Sequence, residues 1–203
     1  MANMMTQFEH AVPVCELTRS PEDAFRQGLA VVDLQMYDAT ARSLASEAGR
    51  FAQYIDGSQE PEVDASPRRL VVPEHDAAQM ELYGRKFARI VMPLTGVSVG
   101  RLIRARFLVY TEAGATTGDH IDDPLDDDHV VSLGVNLTGR GVLRSMTYSR
   151  PGNNLLAGRV VSERTPIQLE PGVAVVQQGQ TMVSHNATSC DAYRVVGVWD
   201  FAA

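Results

Sequence analysis

Cysteine is scarce in this sequence: Cys15 and Cys190 are the only thiols in 203 residues, and their spacing is not that of metal ligands. No disulfide framework is expected, and both are read as chemically bland thiols. No uninterrupted apolar run approaches the roughly 20 residues that a membrane-spanning helix needs, so no membrane partner is expected. The first ten residues lack a basic stretch followed by an apolar one, so no signal peptide is expected and the cytoplasm is the default location. Lysine is nearly missing as well. Lys86 is the single lysine among 18 basic residues, set against 25 acidic ones for a net charge of −7. That balance argues against nucleic acid as a partner, because a phosphate-binding surface needs clustered positive charge.

What remains is an ordinary globular composition, 44% apolar, in a chain long enough for one substantial core. We therefore expect a single domain over 1–203, with 1–100 forming a helical N-terminal support and 101–203 the core. Ser20, Pro21, Glu22 and Asp23 predict a short helix, with a hydroxyl cap, a proline in the first turn and acids at the positive end of the dipole. It should stop near Gly28 and lead into a buried strand over 29–34. Tyr37, Ala41, Leu44, Ala48, Phe51 and Ile55 recur at intervals of four and three, which predicts a helix over 36–55 laid on the domain's own sheet. The stretch 56–73 reads as a loop closing in a short strand over 70–72. A second long helix is expected over 75–92, with His75 exposed in its first turn and Pro93 and Gly96 ending it.

After Gly100 the helical period gives way to short β-type runs, over 102–110, 130–137, 142–148, 159–161, 167–169, 173–178 and 194–201. Helices first and strands afterwards imply an α+β fold with helices on one face of a jelly-roll core. Trp199 and Phe201 are expected in that core.

One stretch carries the chemistry: Gly118-Asp119-His120-Ile121-Asp122-Asp123-Pro124. On an extended strand, side chains at i and i+2 leave from the same face, so the imidazole of His120 and the carboxylate of Asp122 converge on one point. His185 lies downstream, after the strand-like run Val173-Ala174-Val175-Val176. Two histidines and one carboxylate on one face of a metal, with the other positions open, make the facial triad of non-haem Fe(II) oxygenases. Arg194 follows nine residues after His185, where a guanidinium fork could hold the distal carboxylate of a cosubstrate. The bland reading of an isolated His-x-Asp is a surface turn. Its coincidence with His185 and Arg194 favours the metal.

The stretch from Tyr110 to Pro124, together with Pro171-Gly172, His185, Arg194 and Trp199-Asp200-Phe201, resembles the prolyl 4-hydroxylase branch of the Fe(II)/2-oxoglutarate dioxygenases. The resemblance covers about half the chain, from Leu102 onward. It implies a double-stranded β-helix (jelly-roll) core with N-terminal helices packed on one sheet. It further implies Fe(II) at His120, Asp122 and His185, and the 2-oxoglutarate C5 carboxylate at Arg194, with Tyr110 on the cosubstrate side. Asn136 stands where relatives often place a cosubstrate-binding tyrosine, and Thr117 stands where they often have another. The implied activity is hydroxylation of an unactivated carbon with O2, 2-oxoglutarate being decarboxylated to succinate. Related halogenases have Ala or Gly in place of Asp122, so the carboxylate favours hydroxylation.

For the substrate, Arg104, Arg106, Leu108 and Tyr110 share one strand face. If Tyr110 points inward, so does Arg106, which would suit a substrate carboxylate; a salt bridge is the equal alternative. Arg144 is a further candidate, sharing strand parity with Tyr148. The acidic run over 122–128 reads as a solvated turn. A small-molecule substrate, such as an amino acid or natural-product intermediate, is expected ahead of a prolyl or other residue in a peptide or protein. Two readings stay open beside these: a non-catalytic jelly-roll binding protein, and a cupin-type metal enzyme that uses no 2-oxoglutarate.

Overall fold

The computed structural model describes residues 11–17, 19–55, 68–70, 72–111, 120–121, 130–149, 159–163, 166–178, 182–187 and 193–202. Among them, three helices, α1 (Pro21–Phe25), α2 (Ala41–Tyr54) and α3 (Glu74–Thr95), accompany two antiparallel sheets. The strands are β1 (Leu29–Asp33), β2 (Arg68–Leu70), β3 (Leu102–Tyr110), β4 (His120–Ile121), β5 (Val130–Thr138), β6 (Gly141–Ser149), β7 (Arg159–Glu163), β8 (Ile167–Leu169), β9 (Val173–Gln178), β10 (Met182–Ala187) and β11 (Arg194–Ala202).

The larger sheet has the order β1-β9-β5-β11-β3-β2; the smaller runs β4-β10-β6-β7, with β8 also paired to β6. From β3 to β6, and again from β9 to β11, successive strands alternate between the two sheets. The chain thus winds around a common interior. The N-terminal segment supplies more than helices: β1 and β2 form the two edges of the larger sheet.

Alternation along β11 sorts the larger sheet into two faces. Val195, Trp199 and Phe201 pack with Met80, Phe87, Val91 and the alanines of α2. The rings of Phe87 and Trp199 lie 5.5 Å apart, and the Trp199 indole N–H donates to the Met80 carbonyl at 2.9 Å. Tyr110, Val196 and Val198 form a separate cluster on the opposite face, with Leu108 against it. A third apolar cluster joins Leu29, Val31, Val173 and Val175 of the larger sheet to Leu143, Ile167 and Leu169 of the smaller, so this opposite face looks into the space between the sheets.

Local chemistry sets the helix ends. Ser20 caps α1 as expected, its hydroxyl accepting from the Asp23 N–H at 3.1 Å. α2 starts at Ala41, five residues later than its apolar spacing suggests. Asp33 accepts from the Gln35 N–H, and Asp38 accepts from both the N–H and the hydroxyl of Thr40. These side-chain turns compete with the helix for the backbone, and Tyr37 is left exposed. The buried line of α2 is Ala41, Ala45, Ala48 and Ala52, small residues that let the helix approach the sheet closely. α3 continues through Pro93 to Thr95 and ends at Gly96, whose φ of 70° is in the left-handed region. A proline so near the end breaks only the bond back to residue 89, and helix termination falls to the glycine. The expected short strand over 70–72 is displaced to Arg68–Leu70, whereas β3 and β9 have the expected bounds.

Candidate functional site

Arg194 opens β11 on the inner face, paired across the ladder with Tyr110 of β3. Its side chain is 1% exposed. The guanidinium carbon stands 4.9 Å from the centre of the Tyr110 ring, close enough for a cation–π contact. Its Nε–H donates to Asn136 Oδ1 at 2.8 Å. The terminal nitrogens Nη1 and Nη2 are buried, with no hydrogen-bond partner among the described residues. Burial pulls the Arg194 pKa below the ordinary guanidinium value, and Tyr110 acts in the opposite sense. A guanidinium keeps its proton in any case, so the pocket holds a charge whose open end is the two-nitrogen fork that matches a carboxylate.

Two features hold that fork in place. Asn136 donates both amide hydrogens to backbone carbonyls, Gly139 at 2.8 Å and Leu169 at 3.0 Å, which orients its oxygen toward Arg194. Asn136 can do this because the β5–β11 register shifts between Val195 and Val196, so that Thr138 pairs with Val195 and Asn136 with Val196. Such a bulge re-aims side chains beside a site. Gly141, at the start of β6, lies flat against the guanidinium: a Cβ there would stand 2.5 Å from Arg194 Cζ. The sequence reading missed Gly141, which carries no motif. It expected Asn136 to bind the cosubstrate, and this is corrected: both amide hydrogens are used, so Asn136 binds Arg194 instead and has no donor left for a ligand.

The two expected metal histidines sit on strands of the smaller sheet. His120 pairs with Val183 of β10, and His185 lies two residues further along that strand, so the two positions share one face of the β4–β10 pair. His185 pairs with Leu143 of β6, which is buried in the layer between the sheets. Asp122 and Thr117 lie outside the described residues. Arg144 is corrected: it follows Leu143 on β6, takes the outer face by alternation and is exposed, so it is no part of the interior.

Arg106 is on the inner face with Leu108 and Tyr110, as parity predicts, but its charge is shared with a residue the sequence reading did not select. Asp200 is 1% exposed, and its Oδ2 accepts from Arg106 Nη1 at 2.7 Å and from Arg104 Nε at 2.8 Å. Ser132 donates to the other oxygen. Asp200 has the same strand parity as Arg194, and that parity was the signal available in the sequence. Between the two polar ends of this face lie Leu108, Val196 and Val198.

No family model and no curated protein matches the chain by sequence. Solved structures do match it by shape. The epimerase SnoN, in complex with Fe3+, alpha-ketoglutarate and nogalamycin RO, superposes with a TM-score of 0.63 at 15% identity, over 90% of this chain and 82% of its own. A Pseudomonas putida prolyl-4-hydroxylase gives 0.55 at 18% identity, over 90% and 96%. The non-haem alpha-ketoglutarate-dependent carbocyclase SnoK of nogalamycin biosynthesis gives 0.59 at 14% identity, over 95% and 86%. The chain has the fold of iron- and 2-oxoglutarate-dependent oxygenases. In that fold, His120 falls on β4, His185 on β10 and the buried Arg194 on β11. No described helix is long and apolar enough to cross a membrane.

Proposed function

We propose that the chain is an Fe(II)/2-oxoglutarate-dependent dioxygenase with a jelly-roll core over 101–203, in one domain, that hydroxylates an unactivated carbon of a small molecule. The observation that carries this reading is the buried Arg194 fork, a fixed positive charge with two terminal nitrogens unpaired among the described residues. A buried, uncompensated charge costs several kcal/mol unless a partner arrives, and a carboxylate is the partner its geometry matches. The C5 carboxylate of 2-oxoglutarate fits that requirement.

His120, Asp122 and His185 would hold the iron, and the chemistry of two imidazoles and one carboxylate suits Fe(II) with open positions. With 2-oxoglutarate and O2, the bound metal supplies the oxidising power. The chain's own residues bind and orient. Arg194 anchors the cosubstrate's far end, Asn136 and Gly141 keep the guanidinium in plane, and Tyr110 covers it. Leu108, Val196 and Val198 keep water from the floor of the site. Thr117, beside the His-x-Asp stretch, is proposed as a substrate contact.

The likeness to two enzymes of nogalamycin biosynthesis favours a natural-product or amino-acid substrate. The likeness to a prolyl-4-hydroxylase supports a second reading, hydroxylation of a prolyl residue in a peptide. The test is an anaerobic titration of the Fe(II)-loaded protein with 2-oxoglutarate, following the visible charge-transfer band of the chelate. The band should appear in the wild type, vanish in His120→Ala and need far more 2-oxoglutarate in Arg194→Ala. Iron bound without a band would point to a cupin-type enzyme. No iron at all would point to a binding protein.

A further inference from the structure

We infer that the inner face carries a second anion site, at Arg106, and that it receives a carboxylate of the substrate. The inference rests on the reading that Arg194 is reserved for the cosubstrate. Arg106 lies four residues from Tyr110 on β3, about 13 Å along the strand from the Arg194 end. The intervening floor is apolar, made by Leu108, Val196 and Val198. The face thus offers a cation at each end and a dry stretch between them.

Charge at the far end does not cancel among the described residues. Two guanidinium groups, Arg104 and Arg106, share one Asp200 oxygen, and Ser132 occupies the other. Among the described residues, one formal positive charge is left over. Asp200 stays ionised: burial alone would raise its pKa, but Arg106, Ser132 and Arg104 outweigh burial and hold it below the ordinary value. Asp200 engages only Nη1 of Arg106. The Arg106 Nε–H, on the other edge of the group, is buried with no partner among the described residues. That edge is the side-on fork by which an arginine grips a carboxylate. A single surplus charge is matched by a monoanion and overcompensated by a phosphate dianion, which selects the carboxylate. The Arg104 side chain is 40% exposed, so this end of the face reaches solvent. A salt bridge whose purpose was only to tie β3 to β11 would need one arginine, and would not leave a buried Nε–H unpaired among the described residues.

The experiment is a calorimetric titration of the metal-loaded protein, saturated with 2-oxoglutarate in the absence of O2. The probes are a panel of free amino acids, each paired with its carboxamide. We expect free carboxylates to bind about tenfold or more tightly than their carboxamides. Arg106→Gln should abolish that preference. So should Arg106→Lys, which keeps the charge on Asp200 without a side-on fork and guards against loss of fold in the first variant. A panel in which no carboxylate outbinds its carboxamide overturns the site, as does a preference that survives both substitutions. A separate titration with 2-oxoglutarate, in wild type and Arg194→Ala, reports on the cosubstrate reading alone. Its failure would leave the carboxylate preference at Arg106 still decided by the panel.

Discussion

Arg194 donates its Nε–H to Asn136 Oδ1 at 2.8 Å, a bond that joins the first residue of β11 to the bulge in β5. It uses the one guanidinium nitrogen that a carboxylate approaching end-on does not need. Asn136 is therefore a positioning residue. Asn136→Ala should weaken 2-oxoglutarate binding roughly tenfold or more, the loss expected when a hydrogen bond to a charged group goes. The maximal rate at saturating 2-oxoglutarate should change much less, so the effect falls on KM rather than kcat. A purely structural role, tying down Gly139 and Leu169, would lower the unfolding temperature and leave the cosubstrate affinity where it was.

Gly141 tests the same group from its flat side. With a Cβ 2.5 Å from Arg194 Cζ, Gly141→Ala must push the guanidinium out of its plane. Overpacking of this kind costs roughly 1–3 kcal/mol of stability. Loss of 2-oxoglutarate affinity should exceed that figure when both are measured on the same preparation, by calorimetry and by urea unfolding.

On the other face of β11, a Cβ at Gly84 would meet Trp199 Cδ1 at 2.3 Å. Gly84→Ala is expected to separate α3 from the sheet and to cost about 1–3 kcal/mol or more, visible as a lower urea midpoint and altered tryptophan fluorescence. Because Trp199 and Arg194 leave β11 on opposite faces, folded Gly84→Ala protein should still bind 2-oxoglutarate. Equal damage to both would mean that the two faces do not act independently.

Asp200 sets an acid limit. Its folded pKa is depressed: burial raises it, but Arg106, Ser132 and Arg104 lower it further than burial raises it. A carboxylate of this kind contributes stability that is fully present above the unfolded pKa of about 3.9 and is lost as pH falls through the lower folded value. Thermal unfolding between pH 6 and pH 3 should therefore fall more steeply in the wild type than in Asp200→Asn, whose starting stability is lower because two arginines have lost their carboxylate. Parallel curves would remove Asp200 from the acid response.

Much of this was legible in the residues, for identifiable reasons. The cap at Ser20, the bounds of β3 and β9, and the burial of Trp199 and Phe201 follow from local pattern, since strand alternation and capping act over a few residues. The start of α2 was misread because apolar spacing extends back to Tyr37, while Asp38 and Thr40 bond to each other and close a turn there. β1 was expected as a buried strand, but local pattern does not say which sheet it joins. It proved to be an edge of the larger sheet because its partner, β9, lies about 140 residues away in sequence.

The sequence by itself determined which residues have the chemistry to bind a metal and a carboxylate: His120, Asp122, His185 and Arg194. Residue type and spacing carry that information. Tertiary structure alone decided what each arginine is free to do. Among the described residues Arg194 is left with an open fork because Asn136 takes its Nε and a glycine clears its face, whereas Arg106 and Arg104 share one buried carboxylate and Arg144 is exposed. The physical reason is that a guanidinium's role depends on which of its nitrogens are already engaged. Those partners come from strands that are distant in the chain and adjacent only once the sheets have formed.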